Sequence, residues 1–193
     1  LQKLRKQPIA MQILLANAKI MNRKATTTVP TTTQPRFHHE AEIFARELGA
    51  LSVEELAIVL NCNQKIAAEN LLRFQSFAVS DEYIPAILAY NGQAYKYLRA
   101  AEFDTTDFTF AQQHLFILSF LYGMLRPLDL IHPYRLEERC QLTATGDKSL
   151  ADFWKERLTD VLINTVKADD GILVHLATEE YEHLFNWRHA CDE

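Results

Sequence analysis

The chain has 193 residues, of which 48% are hydrophobic and 10% aromatic, so its length and composition exclude a disordered polypeptide and predict one globular domain. Its formal net charge of −5 argues against attraction of the whole molecule to nucleic acid or to anionic lipid. A site for a polyanion must therefore be a local patch of cations.

The N-terminal segment is the most basic part of the chain. Residues 1–24 contain no acid, and their cations are Lys3, Arg5, Lys6, Lys19, Arg23 and Lys24. The segment also resembles a secretory signal, but Gln12 divides its short apolar part, and Met11 offers a natural start. We interpret residues 1–10 as an N-terminal extension and 11–193 as a single domain. Because this apolar part is weak, secretion is not expected. No stretch approaches the roughly 20 apolar residues of a membrane span, so no membrane partner is expected either.

Four continuous apolar runs predict strands that are covered on both faces. They are residues 12–16, 86–90, 115–120 and 172–177. The segments between them predict helices, at 38–49, 53–60, 64–74, 93–100, 107–113 and 149–166. Ser52 and Ser149 each stand three residues before an acid, which is typical of a helix start. The pattern predicts an α/β or mixed α+β fold.

Two further features complete the organisation of the chain. The threonine-rich segment 26–35 contains Pro30 and Pro35 and predicts a long loop. The cysteines Cys62, Cys140 and Cys191 are odd in number, widely spaced and without a CxxC pair, which favours a reducing compartment such as the cytoplasm.

Motifs of familiar enzymes are absent. The sequence has no GxSxG, Walker loop, GxGxxG or HExxH, and its five glycines do not form a phosphate-binding loop. The histidines lack the spacing of metal ligands. The sequence therefore disfavours an enzyme and predicts no cofactor and no metal.

Lys19 is a candidate for anion binding because it follows the first predicted strand, where ligand-facing residues commonly emerge. The alternative is an ordinary surface lysine. A second candidate lies in the stretch from Leu121 to Met124. Its apolar residues around Tyr122 and Gly123 fit the minimal hairpin of a helix-hairpin-helix element, whose turn approaches a DNA phosphate. The alternative is a turn that only reverses the chain.

Arg126 and Arg135 follow this turn and would add charge-assisted contacts to phosphate. Their alternative role is an ion pair with a nearby acid. The candidate site residues are therefore Lys19, Tyr122, Gly123, Arg126 and Arg135.

Four blocks of the sequence are distinctive. They are "FAQQHLFILSFLYGMLRPLDLIHPYRLE" (110–137), "AILAYNGQAYKYL" (86–98), "DFWKERLTDVL" (152–162) and "LATEEYEHLF" (176–185). Together they resemble the YaaA family of bacterial peroxide stress proteins. Lys19 falls in the family's "AK" motif. Gly123, Arg126, Asp129, Tyr134 and Arg135 fall in its "LYG…LRPLD…PYRLE" motif.

The resemblance implies a cytoplasmic protein with a central mixed sheet flanked by helices, a basic cleft and a helix-hairpin-helix element. It implies a role in protection against hydrogen peroxide, lower free iron, and binding of duplex or junction DNA with low sequence specificity. Two departures matter. Ala16 and Asn17 stand where many members have Ser-Pro, and family chains extend further, so part of the C-terminal region is expected to be missing here.

The sequence is also compatible with two other hypotheses. An enzyme could use Lys19, Arg126 and Arg135 to hold a phosphorylated or carboxylated small molecule, because a cationic cleft does not specify its anion. Direct iron sequestration is the other, although the sequence shows no cluster of ligands for it.

Overall fold

The computed structural model describes residues 11–146 and 148–192. In chain order the strands and α-helices are β1 (Gln12–Ala16), α1 (His38–Gly49), α2 (Val53–Val59), α3 (Gln64–Ser76), β2 (Ile84–Pro85), α4 (Ala86–Ala89), α5 (Gln93–Leu98), α6 (Thr105–His114), β3 (Leu115–Ser119), β4 (Gly123–Leu125), β5 (Leu130–Ile131), α7 (Leu150–Ala168), β6 (Leu173–His175) and α8 (Trp187–Asp192). Short 3₁₀ helices lie at Ala100–Glu102, Thr143–Thr145 and Glu179–Leu184. The predicted mixed α/β fold class is confirmed.

The main sheet has four strands in the order β4-β3-β1-β6. The central strand β1 runs parallel to both neighbours, pairing Ile13 with Leu115 of β3 and with Val174 of β6. β4 joins the edge of β3 as an antiparallel strand. The carboxyl ends of β1, β3 and β6 therefore meet at one edge of the sheet, which is where α/β proteins bind ligands. A second, two-stranded sheet pairs β2 with β5.

Helix α7 closes one face of the sheet with its apolar side. Its largest buried side chain, Trp154, has no solvent exposure and donates a hydrogen bond from Nε1 to the Phe120 carbonyl at 2.8 Å. Phe44 of α1 and Phe153 of α7 pack edge-on near it, which joins the helical layer to the sheet. Burial of such large aromatic side chains is a main source of stability in a domain of this size.

The helix start signals are confirmed. The Ser52 hydroxyl accepts a hydrogen bond from the Glu55 amide, while the Glu55 carboxylate accepts one from the Ser52 amide. Ser149 likewise caps α7 by accepting from the Asp152 amide at 3.0 Å. Each cap satisfies an amide that the helix itself leaves without a partner.

Three of the four predicted strands are confirmed, and the fourth is wrong. Residues 86–89 form the short helix α4 rather than a strand. The amides of Ala86 and Ile87 donate to the carbonyls of Asp129 and Pro127, so this apolar turn is held by the segment beside it and not by a strand partner. A short apolar run is compatible with either structure, and here the tertiary contacts decide it.

Candidate functional site

A cavity of about 200 Å³ lies at the carboxyl edge of the parallel strands. Its walls come from residues that directly follow β1 and β3, from the segment 134–137, and from residues 178–181 after β6. Four distant parts of the chain thus build one small chamber. The charged side chains that line it are Lys19, Arg135, Glu137 and Glu180.

Asn17 fixes the floor of this cavity. Its amide N–H donates to the Leu118 carbonyl, which extends the pairing of β1 with β3 by one residue. Its side-chain Nδ2 donates to the Tyr134 hydroxyl at 2.9 Å, and its Oδ1 accepts from the Tyr181 hydroxyl. One side chain therefore links β1, the 134–137 segment and the 3₁₀ helix that follows β6.

Behind Asn17 lies a buried chain of hydroxyl groups with a fixed direction. The Ser119 Oγ accepts from the amides of Leu121 and Tyr122, so its own hydrogen is free to be donated to Tyr134, 2.6 Å away. The Tyr134 oxygen then accepts from both Ser119 and Asn17, and donates onward to Tyr90 at 2.9 Å. Burial raises the pKa of Tyr134, so its phenol stays neutral and keeps this hydrogen.

Lys19 and Arg135 meet at the mouth of the cavity on a single carboxylate. Lys19 Nζ lies 2.9 Å from Glu137 Oε2, and the Arg135 guanidinium contacts the other oxygen, Oε1. Arg135 Nε is buried, and it has no hydrogen-bond partner within the part of the chain that the structure describes. The site can therefore hold an anion between two cations, but Glu137 occupies that position.

An open groove continues from the mouth of the cavity. It shares Lys19, Glu137 and Glu180 with the cavity and adds Glu138 and Arg139. The charged lining of cavity and groove together is balanced between cations and carboxylates, so this surface is not a strongly basic one. The cations of this surface are Lys19, Arg135 and Arg139.

Arg126 lies elsewhere in the molecule, at the amino end of β1 and β3. Its guanidinium stacks on the Phe116 ring, with Cζ 3.6 Å from the centroid, and donates to Gln12 Oε1 and to the Gln113 carbonyl. Burial lowers the pKa of Arg126 to about 10, although Asp129 and Asp169 oppose this shift. Arg126 therefore does not join Lys19 and Arg135 in one site.

The structure does not place Tyr122 and Gly123 in the predicted helix-hairpin-helix element. They lie in the β-hairpin that links β3 to β4, and not between two helices as a helix-hairpin-helix element requires. Tyr122 is fully buried, and its hydroxyl accepts from the His132 amide at 3.1 Å. Gly123 has φ of +69°, and a Cβ there would lie 2.7 Å from Trp154. Both residues shape the core, and neither is exposed to a phosphate.

The basic N-terminal segment is only partly described. Lys3, Arg5 and Lys6 lie outside the described residues, while Arg23 pairs with Glu69 at 2.9 Å. Among residues 11–146 and 148–192 no helix is long and apolar enough to cross a membrane, and no group of three or more potential ligands is placed to hold a metal ion. The three cysteines are free thiols.

Sequence analysis did not identify Asn17, Glu137 and Tyr181 as site residues. Asn17 had a usable signal, since it directly follows a buried parallel strand, as Lys19 nearly does. Glu137 appeared only as a possible ion-pair partner of an arginine. Tyr181 has no local signal, because its place in the cavity depends on how the 3₁₀ helix after β6 folds back onto β1.

Comparison with known proteins finds similarity along nearly the whole chain. Residues 11–193 match the family model described as Peroxide stress protein YaaA. A UPF0246 protein of Bacteroides thetaiotaomicron is 43% identical over 184 residues, which cover 95% of this chain and 72% of that protein. A UPF0246 protein of Bacteroides fragilis is 44% identical with the same coverage, and one of Crocosphaera subtropica is 38% identical over 90% of this chain and 70% of its own length.

Proposed function

The chain belongs to the peroxide stress protein YaaA family, and on that premise we propose that it acts in the cytoplasmic response to hydrogen peroxide by binding DNA. The proposed contacts are made to backbone phosphates by Lys19 and Arg135, without readout of the bases. Duplex and junction DNA are both suitable ligands, because such contacts follow backbone shape. The proposed consequence for the cell is a lower level of free iron.

The convergence of Lys19 and Arg135 on one carboxylate carries the proposal. Two cations that donate to the two oxygens of Glu137 are also spaced to donate to two oxygens of one phosphate. Lys19 is suited to a surface ligand because 59% of its side chain is exposed. DNA binding then requires the Glu137 carboxylate to move aside, which explains how an acidic molecule keeps its cations neutralised until a polyanion arrives.

Titration of the purified chain with fluorescent duplex and four-way junction DNA at several salt concentrations tests this function. Each phosphate contact contributes a slope of about 0.9 in the plot of log affinity against log salt concentration. Lys19→Met should therefore weaken binding and reduce the slope by about 0.9. Lys155→Met is the matched control, because Lys155 also pairs with an acid at 2.9 Å but lies on α7, outside the cavity and groove.

Two results would contradict DNA binding at this site. One is the absence of any complex at low salt. The other is an equal salt slope for the Lys19 and Lys155 variants. The effect on iron has its own test, which is electron paramagnetic resonance of chelated iron in cells challenged with peroxide. Equal iron signals with and without the protein would refute that part of the proposal.

The small cavity favours a second candidate function, an enzyme that binds a phosphorylated or carboxylated small molecule. A volume of about 200 Å³ is far too small for a duplex, yet it lies at the sheet edge where α/β enzymes bind substrates. Thermal unfolding of the chain with inorganic phosphate, succinate and nucleotides tests this candidate. Absence of any stabilisation, together with intact DNA binding, would exclude it.

A further inference from the structure

We propose that the cavity at the carboxyl edge of β1 binds a small zwitterion of amino-acid size. The ligand's carboxylate would bind between Lys19 and Arg135, and its ammonium group would face Glu137 and Glu180. This inference rests on the second candidate function, that the cavity holds a small molecule. It uses Lys19 and Arg135, the same two cations that the DNA proposal assigns to phosphate, so the small ligand and DNA would compete for them.

The charge balance of the lining selects a zwitterion over a simple anion. Two cations and two carboxylates line the cavity, so a ligand with only negative charge would be attracted by Lys19 and Arg135 and repelled by Glu137 and Glu180. A ligand that carries both charges can pair with both sets. Electrostatic complementarity of this kind gives specificity as well as affinity.

The cavity volume sets the size of the ligand that can lie wholly inside it. About 200 Å³ is the share of roughly seven water molecules, so the cavity suits a compact molecule of about as many non-hydrogen atoms or a few more. Its apolar walls come from Ala16, Ala18, Phe120 and Leu136, which can pack a short side chain. An amino acid with a small or medium side chain meets both limits.

The contacts of Glu137 indicate how the ligand's carboxylate would bind. Its two oxygens already hold Lys19 and Arg135 in the geometry of a bound carboxylate, so the ligand's carboxylate can replace them. Arg135 Nε supplies a further donor, since it is buried and unpaired among the described residues. The displaced Glu137 carboxylate then becomes available to the ammonium group. The exchange leaves Lys19, Arg135 and Glu137 each with a partner of opposite charge.

The supporting residues are held by hydrogen bonds before any ligand arrives. Asn17 is held at both ends of its side-chain amide, and Tyr134 makes three hydrogen bonds through one hydroxyl. A small ligand therefore meets preformed walls, and little ordering of the protein opposes binding.

Ligand-observed NMR of the purified chain with each of the twenty standard L-amino acids tests the inference. Calorimetry then compares the tightest binder with two analogues, one without the amino group and one without the carboxylate. Each analogue should bind about tenfold more weakly or worse, because each lacks one charge-assisted contact. Lys19→Met and Glu180→Gln should also weaken binding, and both side chains are exposed enough to be replaced without unfolding. Lys155→Met should bind as the unmodified chain does.

Each outcome decides between the proposals. Binding of an amino acid that depends on both charges and on both residues supports the inference. If no amino acid binds but inorganic phosphate or succinate does, the zwitterion is wrong and the second candidate function stands. If none of these probes binds, both are wrong, and the DNA titration is unaffected. An analogue without an amino group that binds as tightly as its parent also overturns the inference.

Discussion

Replacement of Gly123 by alanine separates a structural role of this glycine from a role in DNA contact. Its φ of +69° lies in the left-handed region, where an L-residue with a Cβ costs about 1–2 kcal/mol. The added Cβ would also lie 2.7 and 2.8 Å from two carbon atoms of the Trp154 ring, which is buried and cannot move away freely. Overpacking of a core costs about 1–3 kcal/mol.

The expected loss of unfolding free energy for Gly123→Ala is therefore about 2–5 kcal/mol. For a chain of this length the midpoint of thermal unfolding should fall by about 2–4 °C for each kcal/mol lost. Gly171→Ala is the matched control. Gly171 has φ of +81°, but no described atom lies within 4 Å of a Cβ built there, so only the conformational cost of about 1–2 kcal/mol applies.

Urea unfolding of both variants, followed by tryptophan fluorescence, measures the two losses. DNA binding is then titrated at a temperature where both variants are folded, and we expect Gly123→Ala to bind as the unmodified chain does. A Gly123 variant of undiminished stability that no longer binds DNA would refute the structural role. Such a result would support direct contact between this turn and a DNA phosphate.

Three further predictions concern the site and its supports. Glu137→Gln removes the carboxylate that competes for Lys19, so DNA should bind about two- to fivefold more tightly, since an ion pair at the surface is worth at most about 1 kcal/mol. Tyr134→Phe leaves the buried Ser119 hydrogen without its acceptor and should lower the unfolding free energy by about 1–3 kcal/mol in chemical denaturation. Burial lowers the pKa of His132, so its folded pKa lies below the unfolded value of about 6.5, and its share of the stability is present above that pH and lost as the pH falls. The midpoint of thermal unfolding should thus fall less steeply from pH 7.5 to pH 5 in His132→Phe.

Each of these predictions has a control and a contradicting result. Weaker or unchanged DNA binding by the Glu137 variant would show that its carboxylate does not compete with phosphate. Tyr97→Phe, with 78% of the residue exposed, should change stability by less than about 0.5 kcal/mol, and an equal loss in both tyrosine variants would count against the buried network. The exposed His39 is the control for pH, and identical pH profiles for His39→Gln and His132→Phe would exclude a specific contribution from His132.

Local pattern was enough to predict the main helices and the strands of the central sheet. Runs such as 115–120 are long and apolar, and caps such as Ser52 depend only on residues three positions away. Local pattern fails at 86–90, where residues 86–89 form a helical turn and the amides of Ala86 and Ile87 donate to the distant carbonyls of Asp129 and Pro127. Local pattern has no information about such distant partners.

The candidate site could be predicted only in part for the same reason. Lys19 was identified from its place after a parallel strand, and it does lie at the cavity. Arg126 was grouped with Arg135 because the two are close in sequence, yet the chain between them crosses the molecule, and they end on opposite edges of the sheet. Gly123 lies in a β-hairpin and not in the predicted helix-hairpin-helix element, because a tight glycine turn has the same short signature between helices as between strands.

The position of β1 at the centre of the sheet has a consequence for synthesis of the protein. β1 is made well before its partner β6, because Gln12 pairs with Leu173, which leaves the ribosome on the order of ten seconds later at usual rates of translation. During that interval β1 is an apolar strand whose backbone groups on the β6 side have no strand partner. Such a segment is a natural substrate for chaperones, and misfolding of newly made chains should respond more strongly to chaperone supply than the stability of the finished protein would suggest.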